Sequence, residues 1–312
     1  MSKSLTLEEE LRHTYAAIQH LQHDRSTVEI ADELGISRFM VGRMIKRARE
    51  EGLIEVVARA SQPVDIELST ALASRFGLKS AVVCAQITGG ERQLRSTIAR
   101  VASRLVSEMI VEDSIVGIGP GRSLVEMCRE LDGIPACDLV QITGAISPTP
   151  RLDAELIVNL SQVAQGRIFP LHAPFLATDV TAATIISAQP GVKSALQRMD
   201  RLDMAVLTIG GWPDGSLLAS LLDDLGELPA LLERGVVAEL GTSLFDADGH
   251  EIDALADRTI GISREQLARV PVKIALGGGA SKRRAVHAVL KSGFLDILVT
   301  DTATARTVLR AD

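Results

Sequence analysis

The chain has 312 residues, a formal net charge of −7 and an apolar content of 46%, with only 3% aromatic residues. That length suits two domains with aliphatic cores. The acidic balance excludes a basic surface spread over the whole molecule and leaves room only for a local basic patch. Cys84, Cys128 and Cys137 are scattered through apolar segments without metal-ligand spacing, so a reducing cytoplasm and no metal site are expected. No targeting segment is expected, and no apolar run is long enough to cross a membrane.

The chain opens with Thr6-Leu7-Glu8-Glu9, a capping box. The helix it starts, to about His23, carries Leu11, Tyr15, Ile18 and Leu21 on one stripe, expected to pack on the two helices that follow. His13, His20 and His23 on this helix read as surface histidines in preference to a metal site. From Thr27 to Arg59 the pattern is helix, tight turn, helix, short strand. Ile30, Ala31 and Leu34 space the apolar face of the first helix, and Gly35 breaks it. Ser37 caps the next helix. That helix turns Met40, Val41, Met44, Ile45 and Ala48 toward a core, and its other face carries Arg38, Arg43, Lys46, Arg47 and Arg49. Gly52 ends it, and Leu53 to Arg59 is apolar enough for a wing strand. This order is that of a helix-turn-helix, whose second helix enters the major groove of double-stranded DNA. Thr27, Ser37, Arg38, Phe39, Arg43, Lys46 and Arg47 are the candidate DNA contacts, to phosphates or base edges. Phe39 either touches a thymine methyl or packs.

Residues 60 to 66, with Pro63 as the stiff point, read as a linker, and a helix from Glu67 to Phe76 ends at Gly77. From Ser80 onward short apolar runs alternate with helical stretches: SAVVCAQI, a helix from Glu91 to Ile110, SIVGIG, a helix from Ser123 to Leu131, DLVQIT, then DMAVLTIGG, GVVAEL, VKIALGGG and LDILVT. Continuous apolar runs of this kind mark parallel strands buried on both faces. The alternation implies a doubly wound α/β domain, whose ligands bind outside the carboxyl ends of the strands. Those ends hold Gly119-Pro120-Gly121-Arg122-Ser123, Gly144 to Ser147, Gly210-Gly211-Trp212, Gly277-Gly278-Gly279-Ala280-Ser281-Lys282, and Asp301. Bare glycine backbone, a Ser cap, a lysine and a helix start make GGGASK the best anion site. Neither a Walker A loop nor a G-x-G-x-x-G fingerprint is present.

These segments together resemble the SorC family of transcriptional regulators, which includes regulators of sorbitol, deoxyribonucleoside and central glycolytic genes. The resemblance spans nearly the whole chain. It rests on G-I-S-R with its basic helix, GIGPGRSL, AVLTIGG, GVVAELGTSLFDADG and IALGGGASKRRAVHAVLKSGFLDILVTDTATA. It implies a winged helix-turn-helix domain at 1–59, the linker at 60–66, and at 67–312 a doubly wound, mostly parallel α/β effector-binding and oligomerisation domain similar to sugar-phosphate isomerases and deaminases. It further implies that Gly277, Gly278, Gly279, Ser281 and Lys282 contact a sugar phosphate. By the same resemblance Glu239 accepts from sugar hydroxyls, or pairs as a rim carboxylate with an arginine, and Gly121, Arg122 and Ser123 lie beside the ligand. Gly119, Gly144 and His172 join the candidate set, His172 as either a pocket residue or a structural histidine. Some relatives hold their ligand through a lysine imine. Here no lysine stands between Lys79 and Lys193 to supply one there, and the stretch from Gly144 to Pro150 is too poor in polar side chains for a second phosphate.

The expected function is a cytoplasmic, homo-oligomeric regulator of a carbohydrate-catabolic operon, dimer or tetramer, controlled by a phosphorylated sugar or polyol, without a cofactor. The alternative is an isomerase- or deaminase-like enzyme fused to a DNA-binding domain. Glu239 and Asp301 are carboxylates at strand ends, but no His-carboxylate pair demands turnover.

Overall fold

The chain forms two compact units, Met1–Ser61 and Gln62–Asp312. The computed structural model describes residues 5–55, 63–85, 89–146 and 151–311, and of 151–153 the backbone alone. The first unit holds α1 (Leu7–Leu21), α2 (Thr27–Leu34) and α3 (Arg38–Glu50). Each starts at a hydroxyl cap. Thr6 and Ser26 accept from the N–H groups of Glu9 and Glu29, whose carboxylates return the bond, and Ser37 accepts from the Met40 N–H at 3.3 Å. Gly35 ends α2 at φ 65°, the left-handed region that glycine enters at no steric cost.

Ala16, Ala17, Ile30, Ala31, Val41, Met44, Ile45 and Ala48 form the core of this unit. Two expectations about it fail. The stripe Leu11, Tyr15, Ile18 and Leu21 is not what α1 buries. It buries Ala16 and Ala17, whose small side chains allow close approach to the other helices, and it leaves Leu11 64% and Leu21 40% exposed. Met40 is also exposed, because the first turn of α3 projects and burial begins only at Val41. Of the wing strand expected over Leu53–Arg59, the described part, Leu53 to Glu55, is not a strand. Leu53 and Ile54 pack on the helical core, and the rest lies outside the described residues.

The second unit begins within the expected linker. Val64 bridges Cys84, and Asp65 caps α4 (Ile66–Phe76), accepting the Leu68 N–H at 3.0 Å. Then follow β1 (Ser80–Cys84), α5 (Glu91–Met109), β2 (Ile115–Ile118), α6 (Arg122–Arg129), β3 (Asp138–Gln141), α7 (Arg151–Val163) and β4 (Ile168–Phe169). Next are α8 (Val180–Ser187), α9 (Pro190–Arg198), β5 (Met204–Gly211), α10 (Leu217–Asp224), α11 (Leu228–Glu233), β6 (Ala238–Leu240) and β7 (Ser243–Phe245). The chain closes with α12 (Arg264–Arg269), β8 (Val272–Leu276), α13 (Arg283–Lys291), β9 (Ile297–Asp301) and α14 (Thr302–Arg310).

The main ladder runs β1-β9-β8-β5-β2-β3-β4, parallel throughout. Side chains alternate across it. Ala205, Leu207 and Ile209 of β5 enter one apolar cluster, and Met204 and Val206 enter the other, so the sheet is covered on both faces and its strands read as unbroken apolar runs. The run GVVAEL is the exception. Its strand, β6, pairs antiparallel with the end of β5 (Gly210 opposite Glu239) and with β7. Only Gly241 and Thr242 separate β6 from β7, and a two-residue loop permits no parallel crossover.

Gly144, expected at the ligand, is structural. Its N–H donates to the Ile260 carbonyl at 2.9 Å, and a Cβ there would lie 2.3 Å from the Pro174 carbonyl oxygen. Gly144→Ala is expected to lower unfolding stability by about 1–3 kcal/mol, the usual cost of overpacking. Urea titration of the purified variant checks this, and an unchanged midpoint contradicts the close approach.

Candidate functional site

Strand β5 lies between β8 and β2, so the loops that leave these three strands meet at one end of the sheet. The cleft there is lined by Gly121, Arg122 and Ser123 after β2, by Gly277, Gly278, Gly279, Ser281 and Lys282 after β8, by Gly210 at the end of β5 with Gly215 and Ser216 after it, and by Glu239 on β6. The start of α5 closes it with Glu91, Leu94 and Arg95. The cleft has about 90 Å³ of space for the centres of water-sized atoms. One water needs about 10–15 Å³ on that measure, so the room suits a small ligand and not a dinucleotide.

Close backbone approaches make this junction. A Cβ on Gly211 would lie 2.4 Å from the Ser281 carbonyl oxygen, which locks the β5 and β8 loops together. One on Gly210 would lie 2.3 Å from Glu239 Oε1, so the carboxylate rests on bare strand. Glu239 Oε2 accepts from the Trp212 indole at 2.8 Å and the Ser216 hydroxyl at 2.7 Å. Burial pushes its pKa up, against those two bonds and the charge of Lys282. Burial also pushes the Lys282 ammonium down to about 8. Glu239 opposes that shift, while Arg122 and Arg95 add to it. Arg95 is held by Glu126 at 2.7 Å.

Three helical starts at this cleft have glycine instead of a side-chain cap. They are Gly90 before α5, Gly121 before α6 and Gly279 before the short turn leading to α13. Elsewhere in this unit the helix starts at Asp65, Asp179, Ser216, Ser263 and Asp301 are capped by hydroxyl or carboxylate, while α9 and α11 start without a side-chain cap and carry proline in the first turn. Uncapped N–H groups with positive dipole ends, beside Lys282 and Arg122, are an arrangement chemically suited to an anion.

Nine of the twelve expected effector residues line this cleft. Gly144, Gly119 and His172 do not. Gly119 donates its N–H to the Val206 carbonyl at 2.9 Å beneath the loop, and His172 is exposed on the segment after β4. Asp301 is not poised as a base. It accepts from the Gly279, Ala303 and Thr304 N–H groups and the Thr304 hydroxyl, at 2.6 to 3.0 Å, and so anchors the glycine loop. The cleft also takes in Arg95, Thr208 and Ser216, which the sequence reading does not single out, while Trp212, named there only as part of a strand end, acts through Glu239. Ser216 and Trp212 in the segment GGWPDGS offered the one sequence signal, polar groups just past a strand end.

On the first unit, Arg38, Phe39, Arg43 and Lys46 are exposed along α3, with the Arg38 guanidinium 5.0 Å from the Phe39 ring centre. Phe39 therefore does not pack into the core. Arg47 is half-buried, pairs with Glu51 at 3.7 Å and is felt at Glu9 of α1, so it leans away from the row formed by the others. Thr27 is half-buried at the first turn of α2. No group of three His, Cys, Asp or Glu side chains among the described residues could hold a metal ion, and no helix among them is long and apolar enough to cross a membrane.

Residues 62–310 match the model of the Sugar-bind family of sugar-binding domains. The chain is 27% identical over 303 residues to the deoxyribonucleoside regulator of Bacillus subtilis (strain 168), covering 94% of this chain and 96% of that protein. It is also 27% identical to the erythritol catabolism regulatory protein EryD of Brucella abortus (strain 2308), covering 94% and 95%. Among solved structures it is similar to the full-length sorbitol operon regulator SorC from Klebsiella pneumoniae, with a TM-score of 0.71, 22% identity and coverage of 97% and 100%.

Between the protonation limits of Lys282 the unfolded chain holds a proton that the folded one has released. The contribution of Lys282 to stability is therefore lowest below about pH 8 and rises as pH climbs from about 8 toward the ordinary lysine value of 10.5. Lys282→Met is expected to abolish that rise, as followed by denaturant unfolding at several pH values between 7 and 10. An identical pH profile for parent and variant contradicts the buried ammonium.

Proposed function

The chain belongs to the sugar-binding domain family of SorC-type transcriptional regulators, and from that premise we propose that a phosphorylated sugar or polyol controls its binding to operator DNA. One observation carries the proposal: three glycine-started helical turns converge on Lys282 and Arg122, with Glu239 across the same small cleft. Phosphate suits the bare N–H groups, the dipoles and the ammonium. Glu239 repels phosphate and accepts from hydroxyls, so the ligand lies with its phosphate toward Lys282 and its hydroxyls toward Glu239. The effector is bound and released unchanged. Glu239 is committed to Trp212 and Ser216, and Asp301 to its loop. The first unit supplies the DNA contact, with α3 in the major groove and Arg38 and Arg43 nearest base edges. Lys46 meets a phosphate, whereas Arg47, turned toward Glu51 and Glu9, is left out of the contact. One such unit covers one half-site, so the working form is a homo-oligomer, dimer or tetramer.

Two outcomes are expected. Lys282→Ala abolishes the response to a phosphorylated sugar or polyol found by thermal-shift screening, and leaves operator affinity of the free protein unchanged. Calorimetric titration beside the unphosphorylated compound is the measurement, with the incubated ligand assayed for conversion. Equal binding of the unphosphorylated form sinks the phosphate assignment, and product formation favours an enzyme. On the DNA side, Arg38→Ala and Arg43→Ala each weaken operator binding by about 1–3 kcal/mol. Lys46→Ala weakens binding to all sequences and makes the salt dependence shallower. Unchanged affinity and salt slope in all three, by fluorescence anisotropy, remove α3 from the DNA interface.

A further inference from the structure

Helix α3 turns an aromatic ring straight away from its own core. Its buried residues, Val41, Met44, Ile45 and Ala48, make one face. At 3.6 residues per turn Phe39 lies about 170° from the middle of that face, and it is 70% exposed. The Arg38 guanidinium lies over the ring, 5.0 Å from its centre. Lys46, two turns on, falls within about 20° of the same line, and Arg43 lies about 40° to one side of it. The exposed face carries Arg38, Arg43, Lys46 and Arg49, with no acid before Glu50. One exposed apolar side chain is ordinary. A ring at the head of a basic row, on the first turn of this helix, is placed like a contact.

Gly42 is a second and independent observation. It is exposed in the middle of α3, where glycine weakens a helix relative to alanine. It is not among the glycines with positive φ, so its backbone does not require it. A Cβ built there would meet nothing within 4 Å beyond its own stretch of helix, so packing among the described residues does not require it either. It sits one turn after Phe39, about 60° to the side away from Arg43. Bare helix at that place suits a surface that approaches closely from outside the chain.

We propose that Phe39 is a base-reading residue, its ring set against the 5-methyl group of a thymine in each operator half-site, and that Gly42 lets α3 lie close enough for that contact. The inference rests on the DNA reading above and adds what the helix reads. The chemistry selects thymine. A phenyl ring neither donates nor accepts a conventional hydrogen bond, and the apolar group that base pairs display in the major groove is the thymine methyl. The surrounding cations select a polyanion as the occupant over an apolar protein surface, which would bury them without partners. In a helix-turn-helix the N-terminal turn of the second helix is the part that meets base edges. Arg38, stacked on the ring, then reaches the adjoining base pair. The half-site therefore carries thymine beside guanine, the base whose O6 and N7 arginine reads.

The test uses the full chain. Selection from a pool of duplexes with a randomised centre supplies the site, and each thymine in it is then replaced by deoxyuridine, which removes the methyl and keeps the hydrogen-bonding edge. At one position in each half-site the parent is expected to lose about fourfold in affinity, the worth of one methyl-sized group taken out of water. Phe39→Ala is expected to bind the thymine site at least about fourfold more weakly than the parent, to bind the thymine and uracil sites alike, and to unfold at the same temperature. Gly42→Ala is expected to unfold no earlier than the parent and yet to bind more weakly. Indifference of the parent to every replacement, or equal sensitivity of Phe39→Ala, overturns the thymine assignment; if Arg38→Ala and Arg43→Ala still weaken binding, α3 keeps its place in the groove. Gly42→Ala that binds like the parent overturns the close approach. Phe39→Ala that sediments as a smaller assembly puts the ring in a contact between copies and overturns the assignment. A pool from which no duplex is enriched overturns the DNA reading and this inference with it.

Discussion

Strand β5 is buried on both faces and yet ends in bare backbone, and the second unit is built around that requirement. Its lower half must be apolar to lie between two layers of helices. Its last residues, Gly210 and Gly211, must be side-chain-free, because Glu239 rests on one and the Ser281 carbonyl approaches the other. Any side chain at either position separates the loops whose meeting forms the cleft. The short β6–β7 hairpin belongs to the same constraint: it pairs only with the end of β5 and so carries a carboxylate over the mouth of an otherwise apolar sheet.

The electrostatics of the cleft follow from that placement. Burial works against both Glu239 and Lys282, and each charge partly relieves the other. Trp212 and Ser216 hold one oxygen of Glu239, which fixes the side chain before any ligand arrives. Asp301 plays the matching part beneath the other wall, where it accepts the Gly279 N–H and caps α14 at once. Two carboxylates at strand ends thus have unlike duties. One faces the cleft with its charge only partly met, and the other is used up in holding backbone. Preorganisation of this kind lowers the ordering cost of binding a small flexible polyol.

The first unit obeys a different economy. With eight short or aliphatic buried residues and three capped helices, it forms a small core in which alanines of α1 do the packing. Small residues bring helices close and free the larger ones for other surfaces. The leucines of α1 and the first turn of α3, with Phe39 and Met40, are exposed as a result. An apolar pattern at helical spacing therefore does not by itself say which residues a core takes, and in α1 the core takes the alanines and not the leucines.

Much was legible in the residues alone. Hydroxyl caps, glycine stops, apolar runs of strand length and the order of turns are local properties, set by backbone sterics and by the need to satisfy N–H groups at helix ends. They determined the three helices of the first unit and most strands of the parallel sheet, and they singled out the GGGASK and GPGRS strand ends that meet at the cleft. Other features depend on what lies opposite in space, which no local pattern encodes. Gly144 and Gly277 look alike in sequence, yet the first meets the Pro174 carbonyl and the second lines the cleft. His172 leaves the sheet on an exposed segment, GVVAEL turns back antiparallel, and Asp301 is consumed by neighbours from β8 and α14. Which face of α1 is buried was likewise decided by the fit of alanines against α3, because periodicity gives the angle between side chains but not the direction of the neighbour.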